Sequence, residues 1–219
     1  MFHSHKPSLV PRPLACYKRY YGLESEWRDG RYYLKLPSGA LLYDDGQAKD
    51  LEARLERPDV EDQFAQAYAK GAVVRQQGVD FDPGRVRVTA ILRAIYAPSG
   101  TAMDGVLENV AWFGTRLRVH RRIAPALTRV RERLSAILVE KPALRPWLGR
   151  PGGGFAQRTI AGTERLSPHA FGIAIDIDPK RTEYWRWTRD FAQAAKNAAF
   201  ARPVPAELVD AFEAEGFIW

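Results

Sequence analysis

The sequence predicts an α+β fold, in which a small central antiparallel sheet is flanked by helices. Two periodicities carry this prediction. Short segments alternate apolar and polar residues, as half-buried strands do, and the clearest of them is 173–178. A longer segment, 125–140, repeats apolar residues every three or four positions, as an amphipathic helix does. A chain of 219 residues is long enough to bury a core around such elements.

Composition excludes two broad classes of protein. The hydrophobic fraction of 46% and the charged fraction of 27% are ordinary for a globular protein and argue against disorder. No apolar run approaches the length needed to cross a bilayer, so no membrane span is expected. The single cysteine, Cys16, cannot form an internal disulfide, and cysteine usage therefore does not indicate a compartment.

The net charge of +7 is unevenly distributed. Between residues 116 and 158 there are eleven lysines or arginines against only Glu132 and Glu140. A basic face indicates an anionic partner, but no recognition motif accompanies it, so nucleic acid is not expected. Another anionic polymer, or a solvated helix surface, accounts for the charge equally well.

Residues 1–110 are predicted to form an arm, a hairpin and a helical accessory region. The first 29 residues contain three prolines and no periodicity, which favours an extended arm. Strands at 32–36 and 40–43 flank a Pro-Ser-Gly turn and form the hairpin. Three helices should follow, beginning at Lys49, Asp59 and Asp82.

Residues 111–219 are predicted to form the core domain. A short helix or turn at 103–110 leads into it. Its expected elements are a strand at 115–119, a helix at 125–140, a strand at 173–178, and helices at 182–200 and 206–215.

The strand predicted at 173–178 carries the candidate chemistry. Its isoleucines would face the core, so Asp176 would lie on the opposite face. His169 comes just before Gly172, where glycine permits a close approach of backbone to strand. A neutral imidazole and a carboxylate that converge form half of a divalent-metal site, most naturally for zinc. A bare pair of this kind is nevertheless common without a metal.

The full string around this pair is more specific. Ser167, His169, Gly172, Ala174 and Asp176 fill every defined position of Ser-x-His-x-x-Gly-x-Ala-x-Asp. This string resembles the signature of the VanY-type zinc D-Ala-D-Ala carboxypeptidases and dipeptidases, peptidase family M15. Further stretches resemble a bacterial branch of the same family, at 82–85, 158–163, 184–185 and 215–219.

The resemblance implies a hedgehog/DD-peptidase-like fold, zinc held by His169 and Asp176, and removal of the terminal D-alanine from a peptidoglycan stem peptide. Arg158 matches a family arginine that contacts the developing oxyanion or the substrate carboxylate, and a guanidinium suits either task. Ser167 should bond the substrate or support the His169 loop. It is not expected to be a nucleophile, because no base is arranged for it. Asp178 is expected to support the site from the end of the strand.

The resemblance also implies two residues that this sequence does not supply. A third zinc ligand, a histidine, and a catalytic carboxylate are expected about a dozen residues after the Gly-Phe-Ile-Trp stretch at 216–219. His3, His5 and His120 do not match that position, and arginines beside His120 favour a structural role for it. We therefore expect that the sequence is truncated after Trp219, and that the chain as given binds zinc weakly and is inactive.

Two other interpretations remain open at this point. An enzyme of the same fold could cleave an L-alanyl-D-glutamate bond, as some phage endolysins do. Alternatively, a non-catalytic module of this fold, like the hedgehog signalling domain, could bind peptidoglycan through its basic face. Any of these proteins would act in the cell envelope, periplasmic or extracellular, although the first seven residues show no signal-peptide h-region.

Overall fold

The computed structural model describes residues 9–71, 83–97, 102–181 and 204–219. These residues divide into two compact units, which are described separately. The first unit contains 9–68 and 83–97, and the second contains 69–71 and everything from 102 onward. Helices occur together with small antiparallel sheets, which confirms the α+β class.

The first unit contains a three-stranded antiparallel sheet, ordered β1-β2-β3, with three helices. Its elements are α1 (Arg12–Tyr21), β1 (Ser25–Arg28), β2 (Arg31–Leu36), β3 (Gly39–Leu42), α2 (Leu51–Glu56) and α3 (Thr89–Tyr96). The predicted hairpin is β2 and β3, with Leu34 opposite Leu41. The alternation of β2 buries the side chains of Tyr32, Leu34 and Leu36 against those of α1 and α3.

The extended arm predicted for residues 1–29 is wrong for its described part, because residues 12–21 form α1. Pro13 lies in the first turn of this helix, where the missing N–H has no intrahelical partner to lose. Gly22 ends the helix at φ 70°, and its N–H donates to the carbonyl of Lys18. The prolines therefore mark the start of a helix.

The helix predicted from Asp59 is also wrong, since only a 3₁₀ turn, Asp62–Phe64, forms there. The Asp59 carboxylate accepts the backbone N–H of Asp62 at 2.9 Å, and the Asp62 carboxylate accepts that of Asp59 at 3.1 Å. Reciprocal bonds of this kind form a capping box, which starts a helical turn, but the turn does not continue beyond Phe64.

The helix predicted from Asp82 begins instead at Thr89. Gly84 has φ 83°, a left-handed conformation that a right-handed helix cannot include. Asp82 itself lies outside the described residues. Val88, Ile91 and Ile95 are nonetheless buried in α3 or at its N-cap.

In its described residues, the second unit contains a two-stranded antiparallel hairpin and two α-helices. Its elements are β4 (Leu107–Trp112), β5 (Thr115–His120), α4 (Ala124–Glu140) and α5 (Ala206–Ala214). The boundary predicted between residues 110 and 111 falls inside β4. The helix predicted at 125–140 is α4, and it packs against both β4 and α5. This core includes Trp112, Leu127, Leu134, Leu208 and Phe212.

The strand predicted at 173–178 does not form. One isolated antiparallel bridge joins Asp176 to Gly153, and the rest of the segment is irregular. Ile177 is buried in the core, and Ile175 packs against the same core. These two isoleucines therefore face the core, as the alternation predicted. The flanking helix expected at 182–200 lies outside the described residues. No helix in the described part of the chain is both long and apolar enough to span a bilayer.

Candidate metal site

His169 lies in a short, capped 3₁₀ turn, Pro168–Phe171, and its side chain is buried. Ser167 is the N-cap of this turn, and its Oγ accepts the backbone N–H of His169 at 3.3 Å. Pro168 suits the first position of the turn, and Gly172 ends it at φ 66°. The local sequence therefore fixes the backbone that carries the imidazole.

Gly172 brings this turn directly onto β5. Its carbonyl accepts the backbone N–H of His120 at 2.8 Å. A Cβ at this position would lie 2.8 Å from that same nitrogen and 2.7 Å from Leu107 Cδ2. Glycine is therefore required here by both the positive φ and the close packing.

Gly154 forms a second close approach to β5 and orients the imidazole. The neighbouring Phe155 N–H donates to the carbonyl of Arg118 at 2.6 Å, and a Cβ on Gly154 would lie 2.3 Å from that oxygen. The carbonyl of Gly154 lies 2.6 Å from His169 Nδ1. The sequence analysis missed this residue, although the run Gly152-Gly153-Gly154 was a usable signal for close backbone packing.

The bond to Gly154 determines the tautomer of His169. A carbonyl oxygen only accepts, so Nδ1 must carry the proton and donate. Nε2 then faces Asp176 Oδ1 at 3.2 Å. A neutral imidazole would direct its lone pair at a carboxylate, which is repulsive unless a cation lies between them. Either a proton on Nε2 or a metal ion satisfies this geometry.

Asp176 is positioned by the glycine loop on its other side. Its backbone N–H donates to the carbonyl of Gly153, and its carbonyl accepts from Gly152 N–H at 2.8 Å. Arg158 Nη2 lies 3.7 Å from Asp176 Oδ2. The hydrogen bond with His169 outweighs the effect of burial, and together with the charges of His169 and Arg158 it holds the pKa of Asp176 below its usual value. Asp176 is therefore a carboxylate at neutral pH.

The pair fits two positions of a zinc site. Two ligands of a tetrahedral zinc ion lie about 3.3 Å apart when each is about 2.0–2.1 Å from the metal. The separation of His169 Nε2 and Asp176 Oδ1 is 3.2 Å. A ligating imidazole also usually donates its other N–H to a carbonyl or carboxylate, as His169 does to Gly154. Among the described residues, no group of three candidate ligands includes this pair.

Comparison with known families matched the part of the chain that contains this pair. Residues 161–219 match the family model for D-alanyl-D-alanine carboxypeptidase, and the match includes both His169 and Asp176. The match supports the resemblance of these residues to the M15 peptidase family. Neither the curated proteins nor the solved structures gave a match to the chain. Residues 161–219 are called the M15 segment below.

The other predicted site residues lie close to the M15 segment or within it. Arg158 precedes the segment, and its guanidinium is near Asp176 but half-exposed. Ser167 supports the His169 turn through its Oγ, as one of its two predicted roles required. Asp178 is buried, and its carboxylate accepts from Lys180 N–H and pairs with Arg181 at 3.1 Å. It therefore organises the turn that follows Asp176.

His120 is buried in β5, where its backbone N–H holds Gly172. Its Nδ1 accepts the backbone N–H of Arg122 at 3.0 Å. The expected structural role of this residue agrees with these contacts. His3 and His5 lie outside the described residues.

Two acidic groupings in the first unit also bring carboxylates together, and they consist of Asp44, Asp45, Asp59, Glu61 and Asp62. An ammonium group already occupies this cluster. Lys49 Nζ lies 2.8 Å from Asp45, 3.2 Å from Asp59 and 2.6 Å from Asp62, and the lysine side chain is only 7% exposed. Burial alone would lower the pKa of Lys49, but its hydrogen bonds to these carboxylates hold the pKa above its usual value. The cluster is therefore a buried ion network.

Proposed function

We propose that this protein is a zinc metallopeptidase that removes the terminal D-alanine from peptidoglycan stem peptides. The observation that carries the proposal is the pairing of His169 Nε2 with Asp176 inside the M15 segment, with Nδ1 committed to the Gly154 carbonyl. This arrangement directs one nitrogen lone pair and one carboxylate oxygen at the same point, which suits a divalent cation.

When bound, zinc would polarise the scissile carbonyl and activate water. His169 and Asp176 would hold the ion, and Gly154 would keep the imidazole in the required tautomer. Arg158 would present its guanidinium to the terminal carboxylate of the substrate or to the oxyanion that develops on the attacked carbonyl. Its half-exposed position beside Asp176 supports this role, because a substrate can reach it.

A catalytic zinc site takes three protein ligands and leaves one position open. His169 and Asp176 supply two. The family resemblance also implies a third ligand, a histidine, and a carboxylate that takes the proton from water. Activity should be measured on a protein that supplies both of these residues. Because its substrate is peptidoglycan, we propose that it acts in the cell envelope, either periplasmic or extracellular.

The direct test is release of D-alanine from a peptide that ends in D-Ala-D-Ala, measured on a protein that supplies the third ligand and the carboxylate. We expect zinc-dependent release that a chelator stops, and no release by His169→Ala or Asp176→Ala. Arg158→Ala should lower turnover about a hundredfold, the scale for losing one transition-state charge contact, while zinc stays bound. The control is Arg116→Gln, which changes an exposed arginine on β5.

Three outcomes would reject the carboxypeptidase assignment. Activity that survives chelation would remove zinc from the reaction. Cleavage only at an L-Ala-D-Glu bond would indicate an endopeptidase. Binding of peptidoglycan without cleavage of any peptide would indicate a non-catalytic module.

A further inference from the structure

A basic cleft opens in the second unit, close along the chain to Asp176. Its volume is about 560 Å³, and among the described residues its charged lining is Arg145, Arg150, Asp178, Lys180 and Arg181. Four of these side chains are cationic and only one is anionic. The cleft is therefore suited to an anion and not to a metal ion or a basic peptide.

Among the described lining residues, the one carboxylate is already bonded within the protein. Asp178 is buried, and it pairs with Arg181 Nε at 3.1 Å. The guanidinium of Arg181 also lies over the ring of Trp147, with 5.9 Å between the guanidinium carbon and the ring centroid. These contacts hold Arg181 in one orientation, and neither of them uses its terminal NH₂ groups as hydrogen-bond donors.

Arg145 and Arg150 complete the basic lining from the opposite loop. Both are exposed, and within the described part of the chain neither side chain is paired with a carboxylate. Guanidinium groups bind carboxylates with two parallel hydrogen bonds, and desolvated clefts strengthen such contacts. The cleft therefore offers several donors for one oxyanion.

The cleft is within a short peptide's reach of the candidate metal site. Asp178 follows Asp176 by two residues, so their backbones are at most about 7 Å apart. The loop on the other side is joined to Asp176 as well, because Gly152 N–H donates to its carbonyl. If a peptide substrate is bound at His169 and Asp176, the group that occupies the cleft would therefore belong to a residue about one or two positions away from the bond at that site.

We propose that this cleft binds a side-chain carboxylate of the substrate, carried by the residue that precedes the terminal D-Ala-D-Ala pair. The proposed function assigns Arg158, beside Asp176, to the terminal carboxylate or the oxyanion, so the cleft is left for a second anionic group. This inference rests on the proposed function, and it adds a preference for acidic peptides that the family match does not assign.

The test compares two acetylated pentapeptides ending in Glu-D-Ala-D-Ala and Gln-D-Ala-D-Ala, with binding measured by calorimetry and without turnover. The wild-type chain should bind the glutamate peptide about fivefold more tightly, the scale of one partly exposed ion pair. The preference should shrink as ionic strength rises. The double variant R145Q/R150Q should bind the two peptides equally, whereas Arg116→Gln should keep the preference.

The outcomes separate this inference from the function on which it rests. Equal binding of both peptides by the wild-type chain would overturn the cleft assignment and leave the peptidase proposal intact. The cleft assignment would also be overturned if R145Q/R150Q kept the preference for the glutamate peptide and had an unchanged melting temperature. If neither peptide binds, the proposed function fails and the cleft assignment fails with it. Another outcome is that the wild-type chain binds a phosphate polymer, that R145Q/R150Q abolishes this binding, and that both peptides bind equally. That outcome would identify the polymer as the ligand of the cleft and overturn the peptide assignment.

Discussion

Replacing Gly154 by alanine tests how the imidazole is oriented. The added Cβ would lie 2.3 Å from the carbonyl oxygen of Arg118, about 0.7 Å inside the closest approach of 3.0 Å that real Cβ atoms reach. If the Gly154 backbone moves by this amount, its 2.6 Å contact with His169 Nδ1 lengthens to about 3.3 Å, at the limit of a hydrogen bond. The substitution therefore acts on the imidazole of His169, which the added methyl group does not touch.

Two effects of Gly154→Ala follow from this displacement. Overpacking costs about 1–3 kcal/mol and the lost hydrogen bond about 1 kcal/mol, so the free energy of unfolding should fall by about 2–4 kcal/mol. Zinc affinity should fall about 10–100-fold, the usual effect of losing the partner that orients a ligating histidine. Urea unfolding and a zinc titration measure the two effects.

Gly149→Ala is the matched control for this experiment. Gly149 lies five residues earlier in the same loop, and a Cβ there would meet no atom within 4 Å. Its free energy of unfolding and its zinc affinity should match those of the wild-type chain. If folded Gly154→Ala binds zinc as tightly as the wild type, the Gly154 carbonyl does not orient His169, and the reasoning about the tautomer is wrong.

Two further predictions concern charged groups outside the site. Lys49→Met should lower the free energy of unfolding by about 3 kcal/mol in urea titrations, because it leaves buried carboxylates without their cation; an unchanged value would show that the network is not stabilising. Hydrogen bonds from Arg129 and Arg133 hold the pKa of Glu215 below its usual 4.5. The stability that Glu215 contributes is therefore present above pH 4.5 and lost as the pH falls through the lowered pKa. The free energy of unfolding of the wild type should therefore exceed that of Glu215→Gln at neutral pH but not in acid. A difference in unfolding free energy that does not depend on pH would contradict this linkage.

The sequence predicted elements well where one local pattern decided the structure. The amphipathic repeat of α4 placed Leu127, Val130 and Leu134 in the core, and the structure buries all three. The alternation of β2 was equally reliable. Both elements have a neighbouring element that completes their hydrogen bonding or covers their apolar face, so the pattern and the packing agree.

The prediction at 173–178 shows what an alternating pattern cannot determine. Alternation correctly placed Ile177 in the core, but it could not show whether a neighbouring backbone was present to pair with the whole segment. One isolated bridge forms there, to Gly153, whose φ of 118° favours glycine. A Cβ on the neighbouring Gly152 would lie 2.7 Å from Asp176 Cβ, so the close approach is at Gly152. Similarly, Pro11 and Pro13 were interpreted as breakers, although a proline in the first turn favours a helix start.

The pairing of the two candidate residues was predictable from the sequence, but the contacts that orient them were not. His169 and Asp176 were found from their residue types and from the string around them, and the structure places them 3.2 Å apart. The contribution of Gly154 depends on a backbone carbonyl fifteen residues from His169, which no side-chain pattern reveals. Long-range backbone contacts of this kind follow only from the fold.

The most direct test of the central claim is a zinc titration followed by the ¹⁵N shifts of the His169 ring. We predict that Nδ1 stays protonated throughout, because it donates to Gly154, and that zinc shifts the Nε2 signal. His169→Ala should assign the signal, and Asp176→Ala should abolish the shift at the same zinc concentrations. A shift at Nδ1, no shift at either nitrogen, or an Nε2 shift that persists in Asp176→Ala would contradict the claim that His169 and Asp176 hold zinc together.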